Sequence, residues 1–531
     1  MRTIFIVASI VVVGLLGALS YFYPPVAFSF VLVGPVVIRG FQDLLQRKQA
    51  VRRNFPVIGN FRYLFELIRP EINQYFVESN TDGVPFNRDT RSLVYQRSKL
   101  DPDTVPFGTK LDVNSVGYEW VNHSLAPHHV DPKTLRVTVG GPQCKQPYAA
   151  SIFNISAMSY GSLSKNAILA LNGGAKLGGF FHDTGEGGIS PYHLEKGGDL
   201  VWEIGTGYFS ARTLDGKFDP EKFKDRASLP QVKMTELKLS QGAKPGHGGI
   251  LPARKVTEEI AKIRGVPMGQ DVLSPPAHAA FSTPAGMMEF LAKMRDLSGG
   301  KPVGFKLCVG KRREFLALCK AMKTTGITPD FINVDGGEGG TGAAPLEFSN
   351  SVGAPLRESL IFVHNSLVGF GLRRDIKVIC AGRIVTGFDV VSRMAIGADI
   401  CNSARAMMMA LGCIQALRCN TNDCPTGVAT QNPELVAGLD VTHKEVRVAN
   451  YHRETMKTVA EMVGAMGLEH TSGLRPWHLM KRTGLAEIHH YGEIYEFIPE
   501  GSLLGKDVPE SFRRPLEAAS ADTFASATGG A

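Results

Sequence analysis

Cys413, Cys419 and Cys424, in GCIQALRCNTNDCPTGVATQ, lie six and five residues apart, with Pro425 directly after the last. That spacing can gather three thiolates round one compact inorganic centre, in the manner of the cysteine runs that ligate iron–sulfur clusters. A structural zinc site would want two tight pairs or added histidines, whereas a three-iron cluster needs only three ligands. Three free cysteines packed on a helix and loop are the plain alternative, because free cysteine is a common core residue.

A second group of polar residues closes short apolar runs. ISAMSYGS, SQGAKPG and GFKLCVG carry Ser159, Gln241, Lys244 and Lys306, polar groups suited to hold a flavin ring and a carboxylate substrate. AGRIVTG (Ala381 to Gly387) and CNSARAM (Cys401 to Met407) offer small residues that let backbone N–H groups approach a phosphate, with Arg383 or Arg405 to add charge. Glycines that merely turn the chain explain the same letters. TGEGGIS places Glu186 in a glycine-rich loop, and Arg264 ends VTEEIAKIR. Taken singly, these two read as a solvated carboxylate and a surface charge.

These residues need a scaffold. From residue 150 the chain alternates short apolar segments with helix-like stretches: SIFNISAM, LVWEIGTG, TELKLSQG, PVGFKLCVG, DFINVDGG, IKVICAGR and ADICNSAR. Repeated strand-then-helix units predict an α/β fold with a parallel sheet. A run of roughly 280 residues suits a closed (β/α)8 TIM barrel, with the working groups on the loops after the strands and a phosphate site after strands 7 and 8. An open, doubly wound sheet is the alternative, since GGEGGTG contains a G-x-G-x-x-G match. The stretch after it, SNSVGAPLRESLIFVHNSL, lacks the acidic strand end that a dinucleotide fold would place about 20 residues on. No Walker A sequence occurs, which disfavours nucleotide hydrolysis.

The 531 residues, 44 % of them hydrophobic, can bury a large core, and eight dispersed cysteines do not form a secreted disulfide framework. A net charge of +8 with scattered basic residues gives nucleic-acid binding little support. Thr3 to Ile38 contains no charged residue. At about 1.5 Å per helical residue it is too long for one untilted crossing of a core about 30 Å thick. Pro24-Pro25 divides it, so a helical hairpin and one span plus a re-entrant piece are both open. Arg39, Arg47, Lys48, Arg52 and Arg53 follow, which places the rest of the chain in the cytoplasm under the positive-inside tendency. A cleavable signal peptide ending near Ala18-Leu19-Ser20 is the rival reading, and cysteines suited to a reducing compartment oppose it. The predicted organisation is a transmembrane anchor of one or two helices over 1–40 and a capping segment over 41–148. The barrel with its cysteine loop covers 149–435, a helical extension 436–515, and a disordered tail 516–531.

AMSYGSLS, DTGEGG, QGAKPGHGG, KVTEEIAKIR, DGGEGGTGAAP and CIQALRCNTNDCPTGVATQ occur in that order, and together they resemble the FMN-binding synthase domain of glutamate synthase. The match runs over about residues 150 to 435. QAVRRNFPVIGNFRYLFELIRPE further resembles the stand-alone, membrane-anchored members of that family. The resemblance implies a barrel holding FMN beside a [3Fe-4S] cluster. Electrons would pass through the cluster to FMN, for reductive amination of 2-oxoglutarate with ammonia to L-glutamate. Carried over by position, Cys413, Cys419 and Cys424 match the cluster ligands, and Glu186, Gln241, Lys244 and Arg264 match catalytic residues about the flavin and 2-oxo acid. FMN contacts would come from Ala157, Met158, Ser159, Gln241, Lys306, Gly336, Gly337, Gly339, Gly340, Thr341, Gly382, Arg383, Ser403 and Ala404.

The implied partners are a 2-oxo acid, ammonia or another amine, the inner membrane, and an external electron donor such as a ferredoxin-like protein or reductase subunit. A homo-oligomer is compatible with all of this. Within QGAKPGHGGILP, His247 and Ile250 replace the Glu and Gln typical of full-length glutamate synthases. No cysteine upstream is placed to become the N-terminal nucleophile of a glutaminase, and no NAD-binding domain is evident. Two alternatives follow: a membrane-associated flavin and iron–sulfur electron-transfer protein, or the same redox core acting on another substrate such as N-methylglutamate.

Overall fold

The computed structural model describes residues 1–528. Eight strands close into one parallel barrel: β1 Phe153–Ile155, β2 His182–Asp183, β3 Leu200–Ile204, β4 Val232–Lys238, β5 Val303–Leu307, β6 Phe331–Asp335, β7 Lys377–Ala381 and β8 Ile400–Ser403. Each pairs in parallel with its neighbours, and β8 returns to β1 through Cys401 opposite Phe153 and Asn402 opposite Asn154. Seven of the eight coincide with the predicted apolar segments. The eighth, β2, is two residues long and precedes the TGEGG turn, too short to give a periodic signal.

Helices return the chain between strands, with ends written in the local sequence. Lys165–Gly178, between β1 and β2, begins where the Ser164 hydroxyl accepts the Ala167 N–H and ends on left-handed Gly179 at φ 68°. Gly387–Ala395, between β7 and β8, opens with a reciprocal Thr386/Asp389 capping box.

The barrel interior is layered. Phe181, Val201, Met234, Phe331, Ile379 and Ile400 form an apolar floor at the N-terminal ends of the strands. Beneath it, the antiparallel hairpin Arg136–Val139/Tyr148–Ser151 contributes Val139 and Ala150. Two residues further along each strand, the same inward face presents Asp183, Glu203, Glu236, Asn333, Ala381 and Asn402, because side chains alternate with period two. This layer is polar where barrels are commonly filled with Val, Ile and Leu.

After β8 the 25-residue helix Val441–Ala465 packs along Lys165–Gly178. The Tyr451 hydroxyl donates to the Val385 carbonyl at 2.6 Å, and the His452 ring meets the Phe153 carbonyl at 3.0 Å, so this helix braces β1 and the loop after β7. The segment expected to form a disordered tail, 516–531, is described through 528 and meets the barrel's outer helices. Lys320 donates to the carbonyls of Leu516 and Ala519 at 2.8 Å each, and Arg313 donates to that of Phe524 at 2.6 Å. Small side chains leave those carbonyls open to long cations on the barrel's outer helices. Positions 529–531 of that segment lie outside the described residues.

Contacts divide the chain into Met1–Asp89 and Thr90 onward. The first unit opens with two stretches, Arg2–Phe22 and Pro24–Leu45, each long and apolar enough to cross a membrane. They fold back on each other as a helical hairpin. The Phe5 and Phe41 rings meet edge to face at 5.6 Å, and Gly40 leaves no room for a β-carbon against Phe5. Ala50–Asn54 and Gly59–Ile72 follow as further helices.

Candidate functional site

The loops after β1, β2, β4 and β6 converge on the C-terminal mouth of the barrel, and glycine permits their contact. Gly185 sits at φ 64° with its α-carbon against the backbone of Met158 and Ser159. Gly242 faces the Gly336 carbonyl so closely that a β-carbon would collide with it, so QGAKPG and GGEGGTG touch backbone to backbone.

Four predicted residues meet there. Lys238 Nζ lies 3.1 Å from Glu186 Oε1 and donates to Gln241 Oε1 at 2.5 Å. Lys244 is buried and donates to the Ala343 carbonyl at 3.0 Å. Arg264 is also buried, donates to the Tyr160 carbonyl at 3.1 Å and lies 5.0 Å over the Phe209 ring. Its helix, Glu258–Arg264, turns it inward, which the sequence alone could not show. Burial pushes the Glu186 carboxyl up, but Lys238, Lys244 and Arg264 outweigh it and hold the group below its ordinary range. Burial brings Lys244 down to about 8 against the opposing pull of Glu186, and brings Arg264 down to about 10. Three cations face Glu186, and Lys238 also lies 3.9 Å from Glu203 Oε1.

Lys306, expected at the mouth, sits one layer deeper. Its ammonium is held against Glu203, itself 1 % exposed, and four surrounding carboxylates raise its pKa against the effect of burial. Carboxyl oxygens of Asp183, Glu203 and Glu236 lie within 4.8 Å of one another, and Asn333 donates to Glu236 at 2.9 Å. Burial, then the neighbouring Glu203 charge, pushes Asp183 up to about 7, and burial with the Asp183 charge raises Glu236. Lys238 and Glu203 belong to no recognised motif. Their signal was the polar side chains on the inward positions of β3 and β4: Val201 then Glu203, and Met234, Glu236 and Lys238.

The ends of β7 and β8 make an anion-binding arrangement. Gly382 and Arg383 take positive φ of 151° and 50°, Ser403 donates to the Ile384 carbonyl at 2.6 Å, and the Ser156 N–H donates to the Ser403 carbonyl at 3.0 Å. Ala404 follows as the residue before the helix Arg405–Leu411. Arg405 donates to the Glu338 carbonyl at 2.7 Å, and its pKa is lowered to about 10 by burial and then by repulsion from Arg383. Arg405 and the exposed Arg383 put two positive charges at these strand ends, which would suit an anion. Gly336 donates to the Ala381 carbonyl at 2.9 Å, Gly340 lies against Arg405, Gly339 lies near Gly242, and Gly337 donates to the Ala354 carbonyl at 2.8 Å. Thr341 stands exposed at the rim, while Ala157 and Met158 flank the β1 end. Glycines, hydroxyls and Arg405 at these strand ends fit the phosphate and ribityl chain of FMN.

Cys413, Cys419 and Cys424 share one loop, where the charges of Cys419 and Cys424 act on Cys413 and that of Cys424 acts on Cys419. Burial, reinforced by the other two thiols, pushes Cys413 up to about 12, and burial also raises Cys419. Cys424 is lowered, because hydrogen bonds from Thr426 and from the Ala429 and Val428 backbone outweigh burial. Gln415, Leu417 and Asn422 take positive φ of 58°, 55° and 67°, a strained loop held by Asn422 oxygens that accept the Thr430 hydroxyl and the Gln431 N–H. Lys255, 2 % exposed, donates to the Ser162 and Ala429 carbonyls at 3.0 and 2.9 Å, and its charge is felt by Cys419. Ser159 bonds Ser162 at 3.0 Å and Arg264 at 3.5 Å, so one short segment links the cysteine loop to the mouth. Three cysteines on one loop beside a buried ammonium, with no fourth cysteine in that loop, suit a three-iron cluster better than a four-coordinate zinc.

A family model described as the conserved region in glutamate synthase matches residues 129–469. The glutamate synthase large subunit-like protein YerD of Bacillus subtilis is 35 % identical over 91 % of this chain and 97 % of its own. The archaeal glutamate synthase [NADPH] of Methanocaldococcus jannaschii is 34 % identical over 60 % of each chain. Among solved structures, a flavocytochrome b2 mutant with pyruvate bound is similar at a TM-score of 0.41 and 13 % identity, over 87 % of this chain and 96 % of that one.

Proposed function

The chain belongs to the glutamate synthase family, and on that premise we propose that it is an FMN- and [3Fe-4S]-dependent enzyme that aminates 2-oxoglutarate reductively to L-glutamate. The observation that carries this reading is the charge at the mouth. Lys238, shared between Glu186 and Glu203, leaves the buried Lys244 and Arg264 as the two cations that complement a dicarboxylate. Bound FMN would supply the two-electron chemistry, and a cluster on Cys413, Cys419 and Cys424 would admit electrons singly from a ferredoxin-like protein or reductase subunit.

The chain's own groups then have separable tasks. Arg264 can grip a carboxylate through two parallel N–H bonds, and Lys244 supplies the second cation. Gln241 and Glu186 share the Lys238 ammonium, which fixes the carboxylate where it can orient the substrate nitrogen or pass a proton. Overall, the 2-oxo acid, ammonium, two electrons and two protons become the amino acid and water. Ammonia is the proposed nitrogen source. The apolar hairpin would hold the barrel at the cytoplasmic face of the inner membrane.

The test uses purified protein reduced without oxygen. With 2-oxoglutarate and ammonium, the flavin should reoxidise and labelled nitrogen should appear in glutamate. A protein that contains no flavin, or a reduced flavin that ignores both additions, would refute the proposal. His247 and Ile250 favour a second substrate set on the same core. His247 bonds its neighbour Gly248 at 2.9 Å, and Ile250 lies in a short ladder opposite Leu273. An isoleucine side chain cannot hydrogen-bond a carboxylate, so other 2-oxo acids and methylamine belong in the same assay.

A further inference from the structure

We propose that the helix Gly59–Ile72 and the turn that follows it lie in the plane of the membrane interface, as a third lipid-contacting element beside the apolar hairpin. The inference rests on the reading of that hairpin as membrane-embedded. Phe61, Leu64, Phe65, Ile68 and Ile72 recur at intervals of three, one, three and four residues, a stripe along one helical face. All five are exposed, from 38 % at Ile68 to 62 % at Phe65, and Gly59 is the one buried residue of the helix. The stripe continues into Tyr75, Phe76 and Val77, exposed by 52 %, 80 % and 69 %. A helix at a protein surface normally buries such a face, whereas an interfacial helix turns it about 5–10 Å into the headgroup and acyl boundary.

The occupant follows from how this helix joins the hairpin. Asp43, near the end of the second apolar stretch, is fully buried and holds the corner by four donations. Arg52 Nε and Nη2 reach its Oδ1 at 2.8 and 2.6 Å, and the Val57 N–H and Asn60 Nδ2 reach its Oδ2 at 3.0 and 2.5 Å. Gly59 rests on the Arg52 backbone, where a β-carbon would stand 2.9 Å from Cα, and Arg39 donates to Asn60 at 2.8 Å. The start of the amphipathic helix is thus fixed to the mouth of the hairpin, where a spanning segment meets the headgroups. Arg39, Arg47, Lys48, Arg52 and Arg53 lie at the same corner of the sequence. Basic residues beside an apolar stripe fit a bilayer containing anionic lipid.

Full-length protein carrying Phe65→Trp or Leu15→Trp, the latter in the middle of the first apolar helix, would be reconstituted into phosphatidylcholine/phosphatidylglycerol vesicles. The lipids would be brominated near the headgroup or near the chain end. The native Trp120, Trp202 and Trp477, all beyond Asp89, give the unmodified background. Phe65→Trp should be quenched by shallow bromines and shifted to the blue, and Leu15→Trp by deep ones. Quenching at position 15 with none at 65, where aqueous iodide quenches instead, overturns the proposal and leaves the hairpin reading intact. A tryptophan at 65 shielded from both bromine and iodide also overturns it, because protein then covers the stripe. Quenching at neither position removes the hairpin reading and the proposal together.

Discussion

Lys244 titrates where the reaction would run. Burial has brought it down to about 8, so its charge, and with it the hold on a dicarboxylate, is complete below that pH and lost above it. Affinity for 2-oxoglutarate, followed as a perturbation of the flavin spectrum, should therefore weaken as pH rises through 8. Lys244→Met should abolish that limb and weaken binding by roughly 10–150-fold, the equivalent of one charge-assisted hydrogen bond at about 1.5–3 kcal/mol. Asp183 is shifted in the opposite direction, up instead of down. Its folded pKa of about 7 lies above the ordinary carboxyl value. The native state binds more protons across that interval, so this group's contribution to stability is complete at low pH and is lost as pH climbs towards 7. Denaturation midpoints of the wild type should fall relative to those of Asp183→Asn over that window, and parallel curves would remove the assignment. Cys419→Ser should leave flavin content unchanged while the cluster's electron paramagnetic resonance signal and bound iron disappear. Retention of both would return the three thiols to ordinary core cysteines.

At the level of elements, the mouth is held together by loops in contact rather than by any single strand. Gly242→Ala places a methyl group against the Gly336 carbonyl. The variant should keep its far-ultraviolet spectrum but lose flavin on desalting, with a stability cost of about 1–3 kcal/mol from overpacking. Seven strands were legible because fully buried parallel strands read as apolar runs bounded by glycine. β2 was not, since two residues cannot carry a period. The glycines, hydroxyls and basic residues of the cofactor loops stood out by type, whereas Lys238 and Glu203 went unnoticed inside apolar segments. The segment from Leu516 is small and polar by composition, and its Leu516, Ala519 and Phe524 carbonyls accept from Lys320 and Arg313. Composition reports side chains and says nothing about who needs an acceptor.

For the whole molecule, the hairpin should dominate the protein's behaviour in cells. It should sediment with membranes after an alkaline wash that strips peripheral proteins, and detergent should release it with its flavin. Recovery in the soluble fraction would count against an anchor. Two apolar stretches joined at Pro24-Pro25 were readable from hydropathy alone. Their pairing needed the Gly40 and Phe5 contact, and the corner at Asp43 needed partners up to 17 residues away.

The sequence by itself determined the strand-and-helix alternation, the spacing of the three cysteines and the glycine loops, all properties of residues close along the chain. It did not determine which charges share one space. Glu186 comes from the loop after β2, whereas Lys238, Lys244 and Arg264 come from β4 and the long segment that follows it, and their balance exists only once the barrel closes and water is excluded. Desolvation and Coulombic attraction depend on distances through space, which closure of the eight strands sets and linear order does not.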